Sequence, residues 1–144
     1  MKRFSLFIIV PSMFLFFCMS CKKEPEHITV QHILISFKGA IPKETVTRTK
    51  EEAEKLANEI FERAKEGEDF DTLVKEYSDD NYPGVYKMAN FKTETDQDQG
   101  EYNRSEMVKE FGDVSFKLSV NEIGMATFSP ERSKYGWHII KRLN

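Results

Sequence analysis

Phe4 to Met19 is a 16-residue stretch in which only Ser5, Pro11 and Ser12 interrupt an apolar run, and it follows directly on Lys2 and Arg3. A basic start followed by a short apolar run is the pattern of an export signal. A membrane-spanning helix needs about 20 apolar residues, and Pro11 would remove a hydrogen bond from the middle of one. Residues 1–20 are therefore read as a signal peptide, with an uncleaved anchor as the weaker alternative, and the remaining chain has to build its core without them.

What closes the apolar run is Cys18-Met19-Ser20-Cys21, followed by Lys22-Lys23. A small residue immediately before a cysteine resembles the bacterial lipoprotein box. That resemblance implies a cut after Ser20 and a lipid on Cys21, with Cys18 standing where the class usually has Leu. The same four residues spell C-x-x-C, but a redox centre of that type needs a surrounding βαβ pattern, and here the motif ends an export segment. Residues 21–27 then form the lipidated N-terminus and a short linker, spanning at most roughly 20 Å when extended. The expectation is an extracytoplasmic domain, periplasm-facing or on the cell surface, working close to a bacterial membrane.

Without Lys2 and Arg3 the 21 basic residues become 19, against 24 acidic ones. Such a balance lacks the clustered cations that release counterions from phosphates, so no nucleic-acid partner is expected. The 2 cysteines cannot form a disulfide scaffold or a pair of zinc-binding couples. His27, His32 and His138 match no common zinc-ligand spacing, and no metal is expected. Stability must come from burial, which a chain of this length achieves by hiding about two-thirds of its unfolded surface.

Ile28 to Phe37 places Ile28, Val30, His32 and Leu34 on one face and Thr29, Gln31, Ile33 and Ile35 on the other, a buried strand. Thr49 with Glu52 forms a capping box that starts a helix. Ala53, Leu56, Ala57, Ile60, Phe61 and Ala64 follow at helical spacing, and Gly67 supplies the stop. Asp69 caps a second helix with Phe70, Leu73, Val74 and Tyr77 along its apolar stripe, ending at Ser78-Asp79-Asp80-Asn81 with Pro83-Gly84 beyond. Val85 to Phe91 reads as a strand. Lys92 to Glu106 is polar except for Tyr102 and reads as a long loop. Ser105 opens a third short helix with Met107, Val108 and Phe111 inward, and Ile123–Phe128 and Trp137–Leu143 read as two last strands. The pattern predicts one α+β domain over residues 28–144, a compact sheet flanked by helices.

Several of these segments coincide with one family: His32-Ile33-Leu34 on the first strand, Thr47 to Ala53 opening the first helix, Gly67-Glu68-Asp69-Phe70, Tyr77-Ser78-Asp79, and Gly136-Trp137-His138-Ile139-Ile140 near the end. Together they resemble a parvulin-type peptidyl-prolyl isomerase domain. The resemblance implies four antiparallel strands surrounded by about four short helices, with His32 and His138 side by side on neighbouring strands, about 5 Å apart at Cβ. It also implies Asp80 at a position holding Cys or Asp in the family, and Ser133 as a hydroxyl bonded to one of the histidines. Met88, Met107 and Phe111, with Phe128 contributing, would hold the proline ring. An insertion of roughly ten residues between Phe91 and Met107 would lie near the rim as a gate or a flexible loop.

Rotation about an X-Pro bond loses amide resonance and crosses about 18–20 kcal/mol. No covalent bond breaks, so catalysis means holding the twisted amide better than either planar form, and the resemblance implies no cofactor. Proline-containing exported or unfolded polypeptides are the implied clients, handled by a monomer. The other class is a chaperone or binding module on the same fold, with little turnover. A phosphate-dependent preference needs a paired basic cluster after the first strand, and Lys38 and Lys43 are separated single charges.

Overall fold

Strand β1, His27–Ile35, is the spine of the fold in the computed structural model, which describes residues 23–144; the stretch read as a signal peptide, residues 1–20, and Cys21 lie outside the described residues. Alternation along β1 sends its side chains into two separate cores. Ile33 and Ile35 join Trp137 and Ile139 under two helices, whereas Ile28 and Val30 join Met88, Ile140 and Phe116 under a third. Each fully buried side chain of this kind contributes about 1.5–3 kcal/mol, so a one-residue slip of β1 would forfeit both cores together.

Helix α1, Lys50–Lys65, begins with the expected capping box: the Thr49 hydroxyl accepts from the Glu52 N–H, and Glu52 accepts from the Thr49 N–H. Its small buried face, Ala53, Ala57, Ile60 and Ala64, lets it lie close against the sheet. Helix α2, Phe70–Tyr77, is capped by Asp69 and packs on the same side. Helix α3, Lys109–Lys117, covers the opposite side with Phe111 and Phe116.

Strands β2 (Val85–Ala89), β3 (Tyr102–Asn103), β4 (Ile123–Ala126) and β5 (Trp137–Arg142) complete a sheet of order β3-β2-β1-β5-β4. The β1–β2, β1–β5 and β4–β5 pairs are antiparallel, and β3 runs parallel to β2. Among the described residues, five strands in a mixed sheet, with three α-helices and two 3₁₀ turns at Gln97–Gln99 and Arg104–Glu106, replace the four antiparallel strands and about four helices expected from the sequence. The difference lies in residues 92–106, which polarity alone assigns to a loop. Glu101 and Arg104 are 8% and 6% exposed, and they pin the two-residue strand between them to the edge of β2.

The turn into β5 is closed by Gly136, whose φ of +136° only glycine adopts readily. A Cβ there would stand 2.2 Å from the Ile35 carbonyl oxygen, so β5 can begin beside the end of β1 only because that atom is missing. Among the described residues no helix is long and apolar enough to cross a membrane.

Candidate active site

His32 and His138 approach across the β1–β5 pair, but not as direct partners. His32 stands opposite Ile140 and His138 opposite Leu34, so the two are diagonal neighbours rather than the side-by-side pair expected. Their rings stack with centroids 5.3 Å apart, and the two Nδ1 atoms are 3.2 Å from each other.

Asp80 reaches the pair because the residues after α2 are stitched to the end of β1. The Asp79 N–H donates to the Leu34 carbonyl at 2.8 Å, the Ser36 N–H donates to the Asp79 carboxylate at 2.8 Å, and the Ser78 hydroxyl accepts from the Leu34 N–H at 3.2 Å. Arg48 closes this turn with an ion pair to Asp79. On the far side Gly84, at φ +63°, accepts the His32 N–H at 2.9 Å, and a Cβ on it would stand 2.7 Å from the His32 carbonyl oxygen. Held between these segments, Asp80 accepts from His32 Nε2 at 2.9 Å, from the Tyr86 hydroxyl at 2.8 Å and from the Asn81 N–H at 2.8 Å.

The electrostatics follow from this geometry. Asp80 is held well below the ordinary carboxylate range, chiefly by the His32 hydrogen bond, which with the Asn81 and Tyr86 donors outweighs partial burial. Tyr86 is pushed well above the ordinary phenol value by burial and then by its bond to the Asp80 carboxylate. His138 is pushed down to about 3, first by burial and then by the neighbouring His32. An ionised carboxylate only accepts, so His32 donates from Nε2 and, when neutral, offers Nδ1 as an acceptor to the His138 Nδ1–H. His138 Nε2 is thereby left as a buried lone pair without a hydrogen-bond partner among the described residues.

In front of this network lies a cleft of about 340 Å³ walled by Met107, Val108 and Phe111 on one side, Tyr86 and Asp80 on another, and Ile41 and Tyr135 at the rim. The His32 ring forms its floor, with Phe111 and Tyr86 edge-on to it at 5.2 Å each. Of the residues singled out in the sequence, His32, His138, Asp80, Met107 and Phe111 meet here. Three do not take the place expected of them.

Met88 is 0% exposed and packs opposite Ile28 under α3, two residues too far along β2 to reach the opening. Phe128 lies on the other side of the sheet, against Phe37 and Trp137 at 5.1 and 5.6 Å. Ser133 is fully buried, but its hydroxyl donates to the Gly136 carbonyl at 2.9 Å and bonds neither histidine. It holds the turn that delivers β5. Tyr86 stands where Met88 was expected. Strand parity puts residues 86 and 88 on one face, and the pairing register, which sets Tyr86 opposite Val30 and close to His32, decides between them. Ile41 and Tyr135 reach the cleft from loops, beyond any periodicity rule.

A twisted sheet with a stacked histidine pair, a hydrogen-bonded carboxylate and an apolar cleft under α3 defines a domain of the parvulin class of peptidyl-prolyl cis–trans isomerases. This chain belongs to that family: the model of the PPIC-type PPIASE domain matches residues 14–144. The foldase protein PrsA 4 of Bacillus cereus is 38% identical over 100 residues, 69% of this chain and 31% of that protein. The chaperone SurA of Pseudomonas fluorescens is 30% identical over 118 residues, 82% of this chain and 23% of that protein. The chain thus spans only about a quarter to a third of these relatives. Among solved structures, one titled "Solution structure of the TbPIN1" shares the fold with a TM-score of 0.60 at 24% identity, over 83% of this chain and 99% of that one.

Proposed function

We propose that this domain speeds rotation about X-Pro bonds in exported or unfolded polypeptides, held by a lipid on Cys21 at the extracytoplasmic face of a bacterial membrane. The observation that carries the reading is the carboxylate of Asp80, kept ionised in the wall of an apolar cleft by three donors. Met107, Val108 and Phe111 exclude water from a proline ring placed between them. Water favours the charge-separated form of the amide that gives the C–N bond its double-bond character, so a dry cleft weakens the resonance to be broken. A fixed negative charge beside the carbonyl disfavours the same form, and the twisted amide is thereby bound better than the planar ones.

In this reading the histidines orient rather than react. His138 is neutral at physiological pH and fixes His32, and His32 aims Asp80. Ser133 supports His138 only through the turn it closes. The domain works as a monomer, without cofactor or nucleic acid.

The test is a cis-to-trans assay on a panel of X-Pro peptides, with the wild-type protein beside Phe111→Leu, each checked for folding. Acceleration that falls at least about tenfold in folded Phe111→Leu supports the reading. Folded wild-type protein that accelerates no peptide overturns it in favour of a chaperone or binding module, the role that the name of the SurA relative carries. The anchor is tested separately, by mass spectrometry of the membrane-extracted protein and by release of Cys21→Ala into the soluble fraction.

A further inference from the structure

The residues just before β1 belong to the fold. The Asn90 N–H donates to the Glu26 carbonyl at 2.8 Å, and the Asn90 side-chain amide donates to the Pro25 carbonyl at 3.0 Å. Glu24 accepts from Arg104 at 2.7 Å, and Arg104 is 6% exposed and also pairs with Asp113 of α3 at 2.8 Å. Leaving a buried charge without its partner is costly, so the Glu24 contact is firm. From Glu24 onward the linker is therefore docked rather than free. Cys21 and Glu24 are three residues apart in the sequence, a span of at most about 10 Å whatever their conformation.

One end of the domain lies within that reach. Lys23, Pro25, Lys117, Ser119 and Arg142 line a shallow groove of about 450 Å³ over the buried Phe116. The turn that follows α3 carries Val120, 52% exposed, and is tied to the end of β5 by the Asn121 N–H, which donates to the Arg142 carbonyl at 2.8 Å. The chain as a whole has more acidic than basic residues, 24 against 21, but this end does not. Lys23, Lys117 and Arg142 gather here, and Lys22 precedes them in the sequence. Arg142 donates to the Leu118 carbonyl and to the Asn144 backbone oxygen. Of the acids nearby, Glu24 is taken by Arg104, Glu26 pairs with Lys23 at 3.3 Å, and Glu122 accepts from the Ser119 N–H at 2.7 Å.

The prolyl cleft sits further along the same elements. β5 runs from His138, in the cleft, to Arg142, at the groove, and four residues of strand span about 13 Å. α3 likewise runs from Phe111 in the cleft to Lys117 at the groove. We infer that the domain stands on the bilayer on its α3–β4 end, with Lys23 and Lys117 against anionic headgroups, Val120 among them, and the cleft held clear of the membrane. This rests on the anchor proposed at Cys21 and adds to it an orientation and a lipid surface as partner. A leash of about 10 Å keeps these cations within about one Debye length of the headgroups, where their attraction is not screened away.

The experiment places the lipidated full chain in vesicles of equal parts phosphatidylglycerol and phosphatidylcholine that carry a headgroup-linked quencher. A fluorophore is attached at Val120→Cys or at Glu44→Cys, an exposed position on the loop beyond β1 whose Ile41 rims the cleft. Label at 120 should be quenched at least about threefold more than label at 44, as for a side chain set about 5–10 Å into the headgroup boundary. Lys117→Glu should bring that ratio down by about half or more, and Lys55→Glu, the same charge change on the exposed face of α1, should preserve it. Equal quenching at the two positions, or a ratio that Lys117→Glu leaves unchanged, overturns the docking. If mass spectrometry finds no lipid on Cys21, the anchor reading fails instead. The docking is then decided with the same labels on the chain carrying Cys18→Ser and Cys21→Ser, mixed with the same vesicles: stronger quenching at 120 than at 44 supports it, and equal or absent quenching overturns it.

Discussion

His32 and His138 bring their Nδ1 atoms to 3.2 Å although two residues of register separate them across the β1–β5 pair. Diagonal neighbours on one face of an antiparallel pair are about 7–8 Å apart at the backbone, so only two rings leaning toward each other close the gap. The arrangement uses one N–H between them. His138 consequently serves the network as a neutral donor and has no partner for its other nitrogen among the described residues.

A pH dependence of stability follows. His138 is pushed down to about 3 in the folded state, against about 6.5 when unfolded. A depressed value means that its contribution is fully present above the unfolded value and is lost as pH falls toward the folded one. Between pH 6.5 and 3 this group alone removes up to about 1.4 kcal/mol per pH unit. Asp80, also depressed, acts below its ordinary value near 4 and leaves the upper part of that window to the histidine. Urea midpoints at pH 7.5, 6.0 and 5.0 should fall steeply for wild type and more gently for His138→Asn, which retains a donor near Nδ1. Equal slopes would contradict the buried neutral histidine.

Asp80→Asn separates charge from shape. An amide oxygen still accepts from His32 Nε2, so stability should drop by only about 1 kcal/mol. If the negative charge weakens amide resonance, kcat/KM on X-Pro peptides should nevertheless fall about tenfold, or about 1.4 kcal/mol of barrier. Denaturation and turnover measured on the same preparation check this, and a stable variant with full activity would remove Asp80 from the mechanism.

How far the sequence revealed this site depended on the kind of information involved. The β1 alternation, the Thr49–Glu52 box and the stripe of α1 were all legible because they are local, period-bound patterns, and the structure contains each of them. The residues near His32 were partly legible through resemblance, and Met88 shows the limit: parity put it on the right face, but only tertiary packing shows that α3 buries it and leaves Tyr86 at the opening. Residues 92–106 misled for a different reason. A two-residue strand has no period, and Glu101 and Arg104 look like solvated charges until partners 74 and 80 residues away meet them.

Gly136→Ala should be among the most damaging changes in the chain. The new Cβ would meet backbone, the Ile35 carbonyl oxygen at 2.2 Å, and neither β1 nor β5 can retreat without breaking the pairing that carries both histidines. With the strained φ of +136° added, the cost should reach about 3 kcal/mol or more. Thermal or urea unfolding would measure it, and a midpoint close to wild type would show that the β1–β5 junction is more adaptable than its geometry indicates.

Arg104 offers a sharper test of what holds residues 92–106 in place. Its guanidinium is planar, lies between Phe91 and Phe116, and reaches Glu24, Asn90 and Asp113 in different directions. Lysine would preserve the charge but has neither the flat faces nor the fork. Arg104→Lys should therefore behave nearly like Arg104→Gln, each costing about 3 kcal/mol, glutamine by leaving the carboxylates without a cation and lysine by losing the stacking and the forked hydrogen bonds, with faster amide exchange across 92–103 while the α1 amides retain their rank as the slower set. Hydrogen exchange resolved by residue distinguishes this from general destabilisation, and a lysine variant with wild-type protection at Tyr102 would mean that charge alone, rather than stacking and shape, positions the segment.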